Sequence, residues 1–513
     1  MTLPTTKSIS KQAKNDILEL NQKINDFKQG TIPEERFKAF RLTRGVYGQR
    51  QLGVQMVRVK IPFGRMTAEQ LVRMADLSEK YTNGNLHTTT RQNIQLHYVK
   101  VDDSPALWEE LEEVGITLRE ACGNTVRNIT GSAYAGIDPD EPFDISPYAH
   151  SMFEYFLRNP ICQDMGRKIK SAFSSSEKDS AYTYFHDFGF IPRIKNGEKG
   201  FKVVIGGGLG AQAFIAHTVY EFLPANRIIP FKEAALRIFD RYGEREKRLK
   251  ARMKFLLDEK RGIGVEKFLE LTEQEMQGLA SQTIEIDTHG LGEAPPAEFI
   301  AESPAHIEDQ QEYHLWLKTN VFQQKQSDFY AVNIKLELGN IKAPEARALA
   351  DVVLEYAADD IRVTVNQGLV LRHIRPENLS HLYVALKALG LADTGFNTIA
   401  DITACPGTDT CNLGVTNSTG VAQQLEAVIR KEYPHLLTES DINIKISGCM
   451  NSCGQHMAAN IGFHGSSIKH GALVIPALQV VLGGGLDAEG KGFIAEKVIK
   501  LPTKRIPQAL RLL

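Results

Sequence analysis

The chain repeats itself, and the repeat limits its possible folds more than any other feature. VQMVRVKIPFG from Val54 and AVNIKLELG from Ala331 both alternate apolar and polar residues, the period of a half-buried strand, and a constant offset of 275 aligns the two regions without a gap. Gly64 meets Gly339, Ala75 meets Ala350, Thr89 meets Thr364, Gln92 meets Gln367, Leu96 meets Leu371 and Gly115 meets Gly390. Each copy predicts strand, helix, strand, strand, helix. With gaps the repeat runs on: REACGNTVRNITGS from Arg119 resembles DITACPGTDTCNLG from Asp401, RKIKSAF from Arg167 resembles INIKISG from Ile442, DFGFI from Asp187 resembles ANIGF from Ala459, and VVIGGGLG from Val203 resembles VVLGGGL from Val480. This gapped pairing sets Cys122 against Cys405, Lys168 against Asn443 and Lys170 against Lys445.

The expected fold class is therefore α+β, internally duplicated and pseudo-two-fold, with each half a small α/β unit followed by a larger mixed one. The boundaries read as an N-terminal wrapping segment (1–49), the first small copy (50–118), the first large unit (119–285), a linker (286–327), the second small copy (328–396) and the second large unit (397–513). The polar helix KNDILELNQKINDF is expected to wrap the other half. The EAPPAEF and ESPAHIEDQQ segments read as an exposed connector. The basic stretch from Ala235 to Gly262 reads as a solvated helix face, ahead of a contact for a cofactor or an electron donor.

At 513 residues the chain has room for roughly three domains of about 150 residues. Its net charge of −2 lacks the basic footprint of a nucleic-acid binder. An apolar content of 42% excludes wholesale disorder. The start, MTLPTTKSIS, does not read as a secretory signal. The most apolar late stretch, 471–486, is interrupted by Pro476 and glycines and is too short to span a bilayer. A cytoplasmic protein with no membrane or nucleic-acid partner is expected.

Six cysteines are too sparse for a disulfide scaffold, and four of them crowd together as C-x5-C (Cys405, Cys411) and C-x3-C (Cys449, Cys453). Four thiolates hold either a structural zinc or an iron–sulfur cluster. Zinc knuckles favour closer spacing than the first pair has. The flanking loops TACPGTDTCNLG and ISGCMNSCGQH supply backbone N–H groups for sulfur, so a [4Fe–4S] cluster is the favoured reading. Cys122 and Cys162 read as buried small hydrophobes. The halves also diverge in charge: Arg58 faces Asn333 and Arg91 faces Asn366. One half keeps cations and the other thiolates, which predicts one composite site between the halves rather than two.

The paired motifs TACPGTDTC and SGCMNSCG, with TTTRQNIQLH at Thr88, CGNTVRNITGS at Cys122 and RKIKSAFSSSEKD at Arg167, resemble the sirohaem- and [4Fe–4S]-containing nitrite and sulfite reductases. The resemblance covers nearly the whole chain from about Gly45. It implies that the two small copies pair as ferredoxin-like half-domains and that the larger units wall a cofactor cleft. It implies Cys405, Cys411, Cys449 and Cys453 as cluster ligands, with Cys453 shared with sirohaem, and Thr89, Arg91 and Gln95 as sirohaem contacts. It also implies Arg58, Arg127, Lys168 and Lys170 as the substrate-anion grip. Arginine forks suit oxyanions and lysines also pass protons. Lys168 and Lys170, at alternate strand positions, point to one face.

Family members differ at the second lysine of the K-x-K pair, where ferredoxin-dependent nitrite reductases typically carry Asn. Lys170 therefore favours sulfite as substrate, with nitrite as the alternative. A tetrapyrrole-modifying monooxygenase would lose the anion pocket, and a zinc-stapled binding protein is the non-enzymatic alternative. VVIGGGLGAQA at Val203 only partly fits a dinucleotide fingerprint. No flavin-binding module is recognisable, so electrons are expected from a separate ferredoxin or flavoprotein.

Overall fold

In the computed structural model, which describes residues 8–513, the alternating segments form strands and the duplication is visible in the backbone itself. The helices Ala68–Tyr81 and Ala343–Tyr356 and the strands Ile94–Lys100 and Leu369–Ile374 occupy equivalent places in the two small copies. Left-handed backbone recurs at the offset of 275: Phe63 (φ 40°) and Leu338 (52°), Gln92 (53°) and Gln367 (74°), Tyr98 (68°) and His373 (55°). Non-glycine residues occupy that region rarely, so the coincidence reflects one inherited backbone path.

The small copies exchange strands. Arg65–Met66 of the first pairs with Ile361–Val363 of the second, and Asn340–Lys342 of the second pairs with Asn85–Thr88 of the first. Each exchange leaves through a glycine. A Cβ on Gly64 would lie 2.5 Å from the Val363 carbonyl, and one on Gly339 2.8 Å from that of Thr88. Both glycines also have positive φ, where a side chain is strained. Val57, Leu71 and Leu96 share one core with Val332, Leu349 and Leu371. The copies thus form one domain, since neither buries its apolar face alone.

Each large unit is a five-stranded sheet of the same topology. In the first, Val126–Gly131, Ile169–Phe173 and Phe188–Lys195 run parallel, and Glu198–Ile205 and His217–Pro224 continue antiparallel. In the second, Thr403–Ala404, Ile444–Ser447 and Ile461–His470 are parallel, followed by Leu473–Leu482 and Glu496–Pro502. Among the described residues no helix is long and apolar enough to cross a membrane.

Three expectations need correction. The N-terminal helix Lys11–Lys28 packs on Ser104–Glu112 of its own half, burying Ile17, Leu20 and Ile24; the other half is reached at the end of the segment, where the Gly48 and Gln49 carbonyls accept from Asn412, and by Arg50 and Gln51 just beyond it. The supposed connector contains the helix Gln310–Asn320, whose Trp316 is fully buried against Tyr383. A polar sequence with few apolar anchors hid it. The basic stretch from Ala235 is not one helix: Ile228–Tyr242 ends at Gly243, and an irregular segment leads to the short helix Met253–Leu256.

Candidate functional site

The two cysteine loops follow parallel strands of the second large unit and interlock through glycines. A Cβ on Gly448 would lie 2.5 Å from Gly407 Cα, one on Gly414 2.5 Å from Gly407 carbonyl carbon, and one on Gly465 2.0 Å from the Gly448 carbonyl oxygen. Only bare backbone allows the C-x5-C loop to lie against the C-x3-C loop. Backbone amides point at sulfur, Gly448 N–H to Cys405 Sγ at 3.1 Å and Leu413 N–H to Cys411 Sγ at 3.4 Å. Arg50 clasps the first loop from outside, donating to the carbonyls of Cys411 (3.3 Å) and Gly414 (2.6 Å), while Gln51 donates to that of Asp409 (2.7 Å).

Burial pushes the Cys405 thiol up to about 12 and raises that of Cys449 too. These sulfurs become thiolates only with a positive partner, which a metal supplies. A zinc–sulfur bond of 2.3 Å in a tetrahedron needs sulfurs about 3.8 Å apart. Among the described residues no group of three or more His, Cys, Asp or Glu side chains is disposed to hold a single metal ion. Thiols on two glycine-framed loops, with backbone amides aimed at Cys405 and Cys411, are the donor chemistry that suits a [4Fe–4S] cluster.

These loops open into a cavity with about 970 Å³ of free space, partly open to solvent. Arg58, Arg127, Lys168 and Lys170 line it, as do Thr89, Arg91, Gln95, Cys405 and Cys453. Cys411 and Cys449 lie in the same loops but do not line the cavity. Carbonyls hold the guanidinium of Arg127, those of Gly123 (2.9 Å) and Ala121 (3.0 Å). Arg91 donates to Thr130 Oγ1 (3.2 Å) and to the Asn128 carbonyl. With its amide oxygen turned to Arg58, Gln95 accepts from Arg58 Nε at 3.3 Å. Thr90 Oγ1 donates to the Cys453 carbonyl at 2.8 Å, tying the cation-bearing strands to the cysteine loop.

None of Arg58, Arg91, Arg127, Lys168 and Lys170 makes an ion pair among the described residues. Burial and mutual repulsion lower the pKa values of four of them. Lys168 comes down to about 7 through burial and then Arg127 and Arg252, Lys170 falls well below the usual lysine value, Arg91 goes to about 9 and Arg127 to about 10. Uncompensated buried cations are costly, and a carboxylate-rich tetrapyrrole with an oxyanion supplies the missing negative charge. The cavity therefore fits sirohaem.

Strand register corrects the gapped alignment of the large units. Ala172 pairs with Gly189 and Thr130, while Lys445 pairs with Gly462 and Thr403, an offset of 273. Positive φ at Asp179 and Tyr182 recurs at Ser452 and Gln455 on the same offset. Cys405 therefore faces Ser132, not Cys122; Lys170 faces Asn443, not Lys445; and Lys168 faces Asp441. The apparent lysine match at 445 was a two-residue slip, so all four expected anion-binding cations lack a cationic counterpart.

The positions answering Cys405, Cys411, Cys449 and Cys453 are Ser132, Asp138, Ser176 and Ser180. There hydroxyls satisfy one another: Ser132 and Ser180 Oγ are 2.7 Å apart, and Ser175 Oγ donates to Asp138 Oδ2 at 2.6 Å. In the counterpart pocket, of about 760 Å³, Asn366, Asn443 and Asp441 stand where Arg91, Lys170 and Lys168 stand in the first, and Lys445 also lines it. One of the two symmetric pockets carries the composite set.

Several lining residues had no sequence signal: His87, Asn128, His186, Gln367 and Gln455 come from scattered segments. Both histidines are held neutral by burial, His87 down to about 4. Leu209, in the Gly206–Gly210 turn, lines the cavity, and a strand rather than a helix follows that turn, so no dinucleotide-binding βαβ unit forms.

Residues 122–278 and 395–509 match the family described as "Nitrite and sulphite reductase 4Fe-4S domain", and residues 47–114 and 322–389 match "Nitrite/Sulfite reductase ferredoxin-like half domain". A sulfite reductase [ferredoxin] of Mycolicibacterium paratuberculosis is 30% identical over 443 residues, covering 85% of this chain and 74% of that protein. The chloroplastic ferredoxin–nitrite reductase of Zea mays is 27% identical over 479 residues, 89% of this chain and 80% of that protein. The solved structure of the Mycobacterium tuberculosis NirA protein superposes with a TM-score of 0.80 at 25% identity, covering 99% of this chain and 94% of that one.

Proposed function

The chain belongs to the nitrite and sulphite reductase family, and from that premise we propose that it reduces sulfite to sulfide with electrons from a ferredoxin. The carrying observation is the convergence of uncompensated cations from one half and thiols from the other on one cavity. Cys405, Cys411, Cys449 and Cys453 would hold the [4Fe–4S] cluster, with Cys453 shared with sirohaem, and Thr89, Arg91 and Gln95 would receive sirohaem carboxylates. When bound, sirohaem and the cluster supply single electrons and an iron centre for the substrate.

The remaining tasks fall to the chain. Arg58, Arg127, Lys168 and Lys170 bind and orient the anion in a water-poor site, where fixed donors stabilise charge without reorganising. The two lysines hold protons at Nζ and release them as substrate oxygens leave as water. Their lowered pKa values suit that duty, since a group poised near neutrality both takes and gives a proton. Lys170 supports sulfite over nitrite, because a second ammonium attracts a dianion more strongly than a monoanion. Nitrite reduction to ammonia on the same site is the alternative, supported by the nitrite-reducing relatives. We place the enzyme in the cytoplasm, a reducing compartment that suits six unbridged cysteines.

Turnover of sulfite and nitrite, measured separately on one cofactor-complete preparation with reduced viologen, tests this reading. A higher kcat/KM for sulfite supports it. A preference for nitrite shifts the substrate assignment, and turnover of neither removes the proposal.

A further inference from the structure

Behind the cavity wall lies a buried ion pair with no part in the function above. Arg252 Nη2 donates to both carboxylate oxygens of Asp187, at 2.9 and 2.8 Å, and Nε adds a contact at 3.3 Å. Asp187 is fully buried, and its Oδ2 also accepts the backbone N–H of Lys170 at 2.8 Å. Neither residue lines the cavity, and the guanidinium lies behind the glycine turn, where a Cβ on Gly208 would be 3.1 Å from Arg252 Nη2. Asp187 also steadies the charged forms of Arg91, Arg167, Lys232 and Lys254.

The duplication supplies an internal control. Asn460 occupies the place of Asp187 in the second half. Its side-chain oxygen accepts the N–H of Asn443 at 2.9 Å, as Asp187 accepts that of Lys170. Its carbonyl accepts from Gly483 at 2.9 Å, as that of Asp187 accepts from Gly206 at 3.0 Å. An amide therefore performs every backbone duty of this position. The carboxylate does what the amide cannot: it grips a guanidinium, in the half that carries the anion pocket.

We infer that Asp187 is a positioning residue for the reaction: its carboxylate clamps Arg252 behind the glycine turn, so that only Arg58, Arg127, Lys168 and Lys170 set the pose of the substrate anion. The inference rests on the proposed reading of those four as the anion grip. A released Arg252 is long enough to turn into the cavity and hold the oxyanion out of its productive pose. Such binding tightens the ground state while slowing turnover.

The test compares holoenzyme carrying Asp187→Asn, Arg252→Gln or both, by thermal midpoint, iron content, and kcat and KM for sulfite. Asp187→Asn should stay folded and keep its iron with a midpoint lowered by several degrees, since it breaks a buried ion pair, lower KM, and lose at least about tenfold in kcat. Arg252→Gln alone should stay within about threefold of the native kcat, and the double variant should return to about that level, since the two substitutions act on one contact. A crystal structure of Asp187→Asn should show Arg252 turned into the cavity. A merely structural role would also slow Asp187→Asn, but removing Arg252 would not repair it. The inference is overturned if Asp187→Asn is kinetically native, if the double variant is as slow as that single one, or if Asp187→Asn fails to fold. Should the native enzyme reduce neither anion, the proposed function fails instead, which native turnover reports before any variant is compared.

Discussion

Gly448→Ala should dismantle the cluster site without touching a cysteine. Its Cβ would lie 2.5 Å from Gly407 Cα and 3.1 Å from the Thr416 carbonyl, whereas non-bonded carbons rest at about 3.5–4.0 Å. The two cysteine loops must therefore separate by about 1 Å, and because the obstacle is main chain, no side chain can rotate away. Overpacking of this kind costs about 1–3 kcal/mol. The shift also strains the N–H of Val415 on the Gly448 carbonyl (2.8 Å) and that of Gly448 on Cys405 Sγ (3.1 Å), each worth about 1 kcal/mol. The total, about 3–5 kcal/mol, exceeds the 1.4 kcal/mol that a tenfold change in site assembly requires. Iron and acid-labile sulfide per chain, with the thermal midpoint, measure it. Gly278→Ala serves as control, since its Cβ meets only the Glu275 carbonyl at an ordinary 3.5 Å. A Gly448→Ala protein with full iron and a native midpoint would refute the claim that bare backbone holds the two loops together.

Three further outcomes are expected. Lys170→Asn, which installs the residue of the opposite half, should lower kcat/KM for sulfite by about 10- to 100-fold, the worth of one charge-assisted hydrogen bond, and lower that for nitrite less; equal losses would show that this lysine does not set the preference. The anion KM should rise with pH above about 7, because the Lys168 pKa, lowered to about 7, leaves the ammonium present below that value and lost above it; a KM flat over about pH 6–9 would show that Lys168 does not lose its proton in that range. Asp360→Asn should cost about 3–5 kcal/mol in a denaturant titration, because Arg65, Arg362 and Arg372 all converge on that buried carboxylate. These arginines hold the Asp360 pKa far below the usual carboxylate range, so its contribution is present above about pH 4 and is lost as acid protonates it; a stability unchanged between pH 6 and 3 would count against it.

The sequence carried the repeat, the cysteine loops and the cations because each has a local signature: strand alternation, glycine-flanked thiols, and charged residues in otherwise apolar strands. The strand exchange through Arg65–Met66 and Asn340–Lys342 was invisible, since a two- or three-residue strand has too few positions to show a period. The slip that paired Lys170 with Lys445 has a related cause. Flanking residues of both strands are alternating apolar ones, so register is set by partners distant in sequence, here Gly189 and Gly462. Arg252 was misread with its basic neighbours because charge composition does not distinguish a solvated arginine from one paired with a buried aspartate.

With the register corrected, the asymmetry of the halves acquires a physical cause. A pocket that keeps several buried cations folds at the expense of their mutual repulsion, and it recovers that energy only when polyanions bind. The second pocket adjoins the first, since Tyr182 lines both and Lys445 reaches Gln455 of the first at 3.0 Å. Equipping both would double the uncompensated charge across one shared wall. Replacement of Lys170 by Asn443, Arg91 by Asn366 and Lys168 by Asp441 reduces that repulsion, leaving Lys445 as the cation in the second pocket's lining. Conversely, four unliganded thiols at Ser132, Asp138, Ser176 and Ser180 would lack metal and partners alike, whereas Ser132 bonds to Ser180, and Ser175 bonds to both Ser132 and Asp138. Each half thus lost the groups that, without a bound cofactor on its own side, it could not have kept satisfied.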